Sequence, residues 1–282
     1  MKSINEYWSM NEGVFACLHD SKRTKFFRKA IRNSIKKGDV VLELGAGTGI
    51  LSMFAIDAGA SKVYAVELDK GNVKTLKKVV KENGYKNKII VMHADATNVK
   101  VPEKVDLVIC EMIATGLIEE LQIPANNNAM RFLKKNGKVL LSEYHIYIDL
   151  VSSKSNFYNK KFNIMRFELP EMRDMRSETF STKHLVKKID LTKKNESSKL
   201  NKSLAIIAEK TGTINAIRLS GETFFSDGST FTNSTAYDFP IILPTEEISV
   251  KKGDTLSLSI TYELCKGPSK LEYKISKKTR SN

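Results

Sequence analysis

Three glycines spaced two apart, Gly45, Gly47 and Gly49, stand directly after an apolar run, and Glu43 lies two positions before the first of them. Glycines in that place let the backbone turn tightly and approach a ligand with no Cβ in the way. The free N–H groups of a helix starting behind them would point back at that ligand. Glu67 closes a second apolar run about 20 positions further on, where a carboxylate can accept both hydroxyls of a ribose. Asp95 follows a third run, in place to accept from an exocyclic amine of a base, and Glu111 closes a fourth. As ordinary solvated strand ends these acids would need no explanation. The glycine loop and the three acids Glu67, Asp95 and Glu111 stand at the ends of four successive runs, which chance would scatter, and an unpaired carboxylate at the end of an apolar run such as Glu111 is costly.

The glycine spacing separates two nucleotide-like ligands. A dinucleotide fingerprint, G-x-G-x-x-G, would need its third glycine at position 50, which is Ile50. The pattern here is E-x-G-x-G-x-G. It resembles the first motif of the S-adenosylmethionine (SAM) methyltransferases, and Ala46, Leu68 and Ala96 join the expected cofactor contacts as neighbours of Gly45, Glu67 and Asp95.

The elements that must carry these residues alternate. Val40-Val41-Leu42 reads as a buried parallel strand, because both of its faces would be covered by helices. Strands are expected at 61–66, 88–93, 105–110 and 137–142, with helices at 50–58 and 70–83 and a helix at 117–133 interrupted at Pro124. That order argues an α/β fold, a Rossmann-like doubly wound parallel sheet over 40–143 with its ligands at the C-terminal ends of the strands. Residues 1–39 are helical in character: Trp8, Val14, Phe15 and Leu18 are apolar, and Phe26, Phe27, Ala30 and Ile31 recur at helical spacing beside a basic face. From about Tyr144 the texture becomes short β-rich runs separated by turns such as Ser226-Asp227-Gly228-Ser229. Residues 144–282 are therefore expected to form an all-β, barrel-like domain, with an excursion at 157–183.

Composition narrows the class. A chain of 282 residues with 41% apolar residues is long enough for two cores and not disordered. No apolar stretch approaches the ~20 residues needed to cross a bilayer, so no membrane partner and a cytoplasmic location are expected. Cys17, Cys110 and Cys265 lie far apart without a C-x-x-C pair, which indicates neither a disulfide framework nor a metal site. The net charge of +14 is spread over both halves. A basic surface fits an acidic partner such as RNA, but Lys dominates and no aromatic residues interleave with the charge, so a Lys-rich composition is the simpler account of it.

These residues resemble the protein arginine methyltransferase family nearly from end to end. Asp20-x-x-Arg23-Thr24 is similar to its D-x-x-R-T ahead of the SAM domain, residues 45–67 to its first two motifs, and 104–112 to its fourth-strand motif, while 248–260 looks like its barrel. The resemblance implies a SAM domain followed by a β-barrel, with a helical dimerisation arm, sought in 157–183, that leaves a homodimer open. It implies that Arg23 pairs with the methionine carboxylate of SAM, Glu67 with the ribose, and that Asp95 lies near the adenine. Glu111 and Glu120 match its two substrate-clamping glutamates, with Glu119 an alternative to Glu120. A guanidinium is always protonated and presents donors in a planar fork, so two carboxylates suit it. Three departures stand out. Glu111 is followed by Met112-Ile113-Ala114 where the family has an aromatic residue and a glycine, Tyr237-Asp238-Phe239-Pro240 occupies the place of its Thr-His-Trp loop, and the arm is short. The expected function is methyl transfer from SAM to a protein, at arginine. A small molecule or RNA as acceptor, and a catalytically inactive SAM-binding protein, are the alternatives.

Overall fold

The computed structural model describes residues 11–196 and 199–277. Two helices come first, α1 (Asn11–His19) and α2 (Ser21–Ser34), and Asp20 caps the second by accepting the Arg23 N–H at 2.9 Å. Trp8 and the rest of residues 1–10 lie outside the described residues. Then β1 (Val40–Leu44), α3 (Ile50–Asp57), β2 (Lys62–Glu67), α4 (Lys70–Glu82), β3 (Ile89–His93) and β4 (Val105–Cys110) alternate as expected.

These strands and β5 (Leu133–Val139) form one parallel sheet in the order β3-β2-β1-β4-β5. The chain winds outward from β1 through β2 to β3, then returns to the other side of β1 as β4, so a crevice opens between the ends of β1 and β4. Alternate residues of each strand enter different cores. Val41, Val63, Ala65 and Ile109 pack on one face with Phe27 and Ile31, whereas Leu42, Leu44, Tyr64, Val66 and Val108 pack on the other with Ala125 and Ala129. Burial on both faces is why the strands read as nearly unbroken apolar runs.

Two elements differ from expectation. The stretch 117–133 is not one interrupted helix but a three-residue 3-10 turn, Thr115–Leu117, followed by α5 (Gln122–Ala129). Pro124 sits in the first turn of α5, where its missing N–H would have had no helical partner, so it starts the helix and does not break it. The strand expected at 137–142 is divided: β5 ends at Val139, and β6 (Leu141–Ser152) begins the β region.

The excursion comes next. It contains β7 (Asn156–Phe157), β8 (Lys160–Lys161), β9 (Arg166–Phe167), a 3-10 turn at Arg173–Met175 and β10 (Glu178–Thr179). Among the described residues no α-helix occurs in 157–183, so the helical arm implied by the resemblance is replaced by short extended segments. Left-handed backbone at Tyr158 and Asn159 makes the tight turn between β7 and β8.

The remaining strands are β11 (His184–Asp190), β12 (Lys199–Ile207), β13 (Gly212–Phe225), β14 (Thr230–Phe231), β15 (Ile241–Val250), β16 (Thr255–Glu263) and β17 (Glu272–Lys277). β6 and β13 form the spine of a seven-stranded antiparallel sheet, and β12-β16-β17 form a second. β12 meets β11 and β17 meets β15, so the two sheets wrap a common core in a barrel-like arrangement. That core is continuous, through Leu140 and Leu141, with one face of the parallel sheet. β15 was not legible as a strand because Pro244 interrupts it. The sheet tolerates this proline because the ladder between β13 and β15 shifts register just there, between Ile214 and Ala216.

Candidate functional site

The glycine loop lies at the C-terminal tip of β1 and is stitched to its neighbour: the N–H groups of Gly45 and Ala46 both donate to Val66 O, at 3.0 and 2.9 Å. Gly47 and Gly49 adopt φ of 52° and 79°, a region unfavourable to side chains. A Cβ on Gly47 would come within 3.0 Å of Val14, and one on Gly49 within 2.3 Å of Leu76. The loop therefore threads closely between α1 and α4, and its left-handed backbone at both positions favours glycine.

Glu67, at the tip of β2, is turned to this loop. One carboxylate oxygen accepts the Gly47 N–H at 2.9 Å, and the other accepts the Asp69 N–H at 2.9 Å. Its neighbour Leu68 is exposed, with its carbonyl hydrogen-bonded by the His93 ring. Asp95 folds back on its own loop: Oδ1 accepts from the N–H and hydroxyl of Thr97, both at 2.8 Å, and Oδ2 accepts from Asn98. Ala96 offers its carbonyl to Asn128 at 3.1 Å. These four residues share the carboxyl edge of the sheet, since β2 and β3 run in register up to Glu67 and His93.

The N-terminal helices close the crevice from above. Asp20 accepts the Arg23 N–H with one oxygen and, with the other, the Ala236 N–H at 2.9 Å, which ties α2 to the β domain. Arg23 is buried against the Phe27 ring, 5.0 Å from its centroid, donates to Cys17 O at 3.2 Å, and forms an ion pair with Glu111 through Nη2. Its Nε has no hydrogen-bond partner.

Glu111 immediately follows β4 and opens a hairpin that runs to Glu120. Gln122, wholly buried, holds the hairpin's root: its Nε2 donates to Cys110 O at 2.9 Å and its Oε1 accepts the Met112 N–H at 2.8 Å. A cavity of about 150 Å³ lies between this hairpin, the glycine loop and α1. Arg23, Glu43, Gly45, Ala46, Gly47, Glu111 and Glu120 all line it. Gly49, Glu67, Leu68, Asp95 and Ala96 do not: Gly49 is the N-cap of α3, and the other four stand at or just past the ends of β2 and β3. Glu119 faces away from it, into a separate groove beside Ile118, Met165 and Phe167.

The cavity's charges are strongly perturbed. Burial pushes the Glu43 carboxyl up to about 8, with the Ser52 hydroxyl as its hydrogen-bond donor opposing the shift. The walls of the cleft desolvate Glu120, and the charges of Glu111 and Glu119 add, so its pKa is pushed up to about 7. Glu120 is nevertheless an exposed residue, so water screens the desolvation and moderates the upward shift without reversing it. Burial would lower the Arg23 pKa, but Glu111 overrides it and the guanidinium is held charged. Cys17, also in the lining, has its thiol pushed up to about 11 by burial and by Glu111, so it is not a thiolate nucleophile.

Sequence reasoning missed Val14, Cys17, Leu18 and Ala236 as lining residues. The first three are the apolar face of α1, which reads in sequence as a packing stripe. Ala236 reaches the cavity only because Asp20 holds its N–H, a contact across 216 positions that leaves no local signal. The resemblance did point to that neighbourhood, since Ala236 immediately precedes Tyr237-Asp238-Phe239-Pro240.

A parallel sheet with a glycine loop, an acid at the next strand tip and a cavity at the switch point defines a nucleotide-handling α/β domain, and the glycine spacing is that of the SAM methyltransferases. The family described as ribosomal protein L11 methyltransferase (PrmA) matches residues 20–162, just over half of the chain. The chain belongs to this family of SAM-dependent methyltransferases. It is 30% identical over 251 residues to an uncharacterized protein of Methanocaldococcus jannaschii, covering 88% of this chain and 90% of that one. It is 38% identical over 138 residues to the probable protein arginine N-methyltransferase 6 of Arabidopsis thaliana, a match that covers 48% of this chain and 32% of that protein's length. Two solved structures share its fold over 93% of the chain and 96% of theirs, each with a TM-score of 0.75 and 18% identity. They are a Trypanosoma brucei PRMT1 enzyme–prozyme heterotetrameric complex with AdoHcy and the protein arginine methyltransferase 10 of Arabidopsis thaliana.

Proposed function

We propose that this methyltransferase acts on arginine side chains of protein substrates. The observation that carries the reading is the convergence of Glu111 and Glu120 on the cavity bounded by the glycine loop, with Glu119 turned away. SAM supplies an electrophilic methyl on a sulfonium. The residues fit it: the buried, unpartnered Nε of Arg23 suits a carboxylate, and Glu67, set against the Gly47 amide, suits two ribose hydroxyls. Asp95, two residues beyond β3 on the same edge of the sheet, suits a base amine by its acceptor chemistry. Ala46, Leu68 and Ala96 border the same edge.

The acceptor chemistry follows from charge. Two carboxylates can hold a guanidinium in its plane and aim one nitrogen. Alignment at that distance accounts for much of the rate when the leaving group is already good. The nitrogen that gains a methyl must lose a proton, and Glu120, with its pKa raised toward neutrality, is suited to take it on a carboxylate oxygen. The relatives named as arginine methyltransferases support the reading over the N-terminal half, and the shared fold supports it over the β domain.

Methyl-tritiated SAM incubated with the purified protein and a cell lysate tests it. Label recovered as methylarginine after acid hydrolysis of the protein fraction is the expected result. Label confined to RNA or to small molecules would replace arginine with another acceptor, and its absence from every fraction would leave a SAM-binding protein without transfer.

A further inference from the structure

A set of buried hydrogen bonds behind the cleft takes no part in the chemistry just described. The turn of the acceptor hairpin is Gly116, at φ 67°, pressed so closely to the β domain that a Cβ there would meet Leu219 at 2.7 Å and Tyr262 Oη at 2.9 Å. Both of its backbone polar groups end on tyrosines that are 0% and 1% exposed. Its N–H donates to Tyr144 Oη at 3.1 Å, and Tyr262 Oη donates to its carbonyl at 2.7 Å. Tyr144 in turn donates to Asp238 Oδ1 at 2.8 Å.

Asp238 is an unusual residue to find there. It is 5% exposed, its Oδ2 has no hydrogen-bond partner, and its backbone is left-handed at φ 51°, which Asp and Asn tolerate better than other side chains. Gly221 makes room for it: a Cβ at that position would fall 2.0 Å from Tyr144 Oη and 2.3 Å from Asp238 Oδ2. A buried carboxyl with an idle oxygen is a cost to the fold. It occupies the stretch where the resembling family carries Thr-His-Trp.

We propose that Asp238 and Tyr144, with Tyr262, are positioning residues for the acceptor hairpin: they fix Gly116 and through it set how Glu111 and Glu120 face each other across the cleft. The proposal rests on the reading of those two glutamates as the acceptor clamp. Besides its root at Gln122, the turn is tied to the β domain by the Thr115 hydroxyl, which donates to Phe239 O, and by the Cys265 and Gly267 N–H groups, which donate to Leu117 O at 2.7 Å and Ile118 O at 2.8 Å. Pinning both the N–H and the carbonyl of Gly116 completes that anchorage at the turn residue itself, and a misplacement of about 1 Å at reacting groups can cost on the order of 100-fold in rate. The Asp238 carboxyl also polarises the Tyr144 hydroxyl and makes it a better acceptor for the Gly116 N–H.

Amide exchange read by mass spectrometry on the full chain, with S-adenosylhomocysteine present, tests this without any methyl acceptor. Tyr144→Phe leaves the Gly116 N–H buried without an acceptor, and exchange of 112–121 is expected to quicken by about tenfold or more. Strands β12 and β16, remote from the hairpin, keep their protection. Asp238→Asn retains both shape and backbone preference, and is expected to give the same change in smaller degree, so it decides the matter if Tyr144→Phe does not fold. S-adenosylhomocysteine affinity stays within about twofold, while kcat on a Gly-Arg-Gly repeat peptide falls by about tenfold with the KM for SAM unchanged. Unchanged exchange in both variants overturns the proposal, as does equal loosening of β12 and β16, which would make the residues mere supports of the fold. If the wild-type protein does not methylate the peptide, the arginine reading fails, and the exchange result still decides whether the turn is held in this way.

Discussion

Arg23 and Glu111 are joined in an ion pair across the cleft, with side chains only 5% and 13% exposed. One comes from the second helix and the other from the tip of β4, and each is the other's counter-charge in a place where a lone charge would be costly. The proposed function gives each of them a different partner, a ligand carboxylate for Arg23 and a substrate guanidinium for Glu111. The pair then competes with both ligands, and binding of the first releases the group that receives the second.

Glu111→Gln tests that competition. Turnover should fall by several kcal/mol in kcat/KM, because a neutral amide no longer faces a cation. S-adenosylhomocysteine should bind equally or more tightly, since Arg23 loses its internal competitor. Thermal stability should drop by about 1–3 kcal/mol from the loss of a partly buried charged partner. Calorimetry and thermal unfolding report the last two, and a marked weakening of ligand binding would show that Glu111 itself holds the cofactor.

Glu67→Ala should weaken SAM binding by roughly 2–3 kcal/mol through lost charge-assisted hydrogen bonds. The structure adds a second route to that loss. The Gly47 and Asp69 amides both lose their acceptor, so the glycine loop should also loosen. Titration calorimetry with SAM checks the affinity, and an unchanged value would move the ribose site away from β2.

The parallel sheet was legible because its information is local. Unbroken apolar runs, glycines at the turns and acids at strand tips all lie within a few positions of one another, and four of the first five strands fall where the pattern puts them. Gln122 shows the opposite case. Its side chain holds both Cys110 and Met112, yet in sequence it is one polar residue between Leu121 and Ile123, with nothing to mark it. The same holds for Tyr144, Asp238 and Ala236, whose partners lie 28 to 216 positions away. Pairings at that separation are set by sheet register, and a single sequence carries no trace of them.

Glu43 offers a stability measurement. Its carboxyl is raised to about 8 by burial, above its ordinary value of 4.5, so the folded state keeps a proton that the unfolded chain releases. Stability from this group is therefore full below about pH 4.5 and is lost as pH climbs toward 8, by an amount on the order of 4 kcal/mol. Glu43→Gln keeps an acceptor for Ser52 and has nothing to ionise. Its Tm should match the wild type near pH 5 and exceed it at pH 9, and parallel Tm profiles would mean that Glu43 is solvated.

The register of the hairpin gives the last prediction, one that sequence alone could not make. Glu119 and Glu120 are adjacent and chemically identical, and either could have completed the clamp with Glu111. In the fold they part company: Glu120 lines the cavity with Arg23 and Glu111, while Glu119 lines the groove beside Met165 and Phe167. Glu120→Gln should therefore abolish most methyl transfer, whereas Glu119→Gln should change kcat/KM by less than about tenfold, or 1.4 kcal/mol. The pH profile separates the two further. With its pKa raised to about 7, Glu120 is largely protonated in mildly acidic solution and becomes the required carboxylate only as pH rises through neutrality. Wild-type kcat/KM should climb through that range, because a charged acceptor is needed both to hold the guanidinium and to take its proton. Glu119→Gln removes one of the neighbouring charges that raise Glu120, so its profile should shift to lower pH with little loss at the plateau. Glu120→Gln should leave a low rate with no rise near neutrality. A profile that keeps its climb in Glu120→Gln would assign the ionisation to another group and remove Glu120 from the clamp.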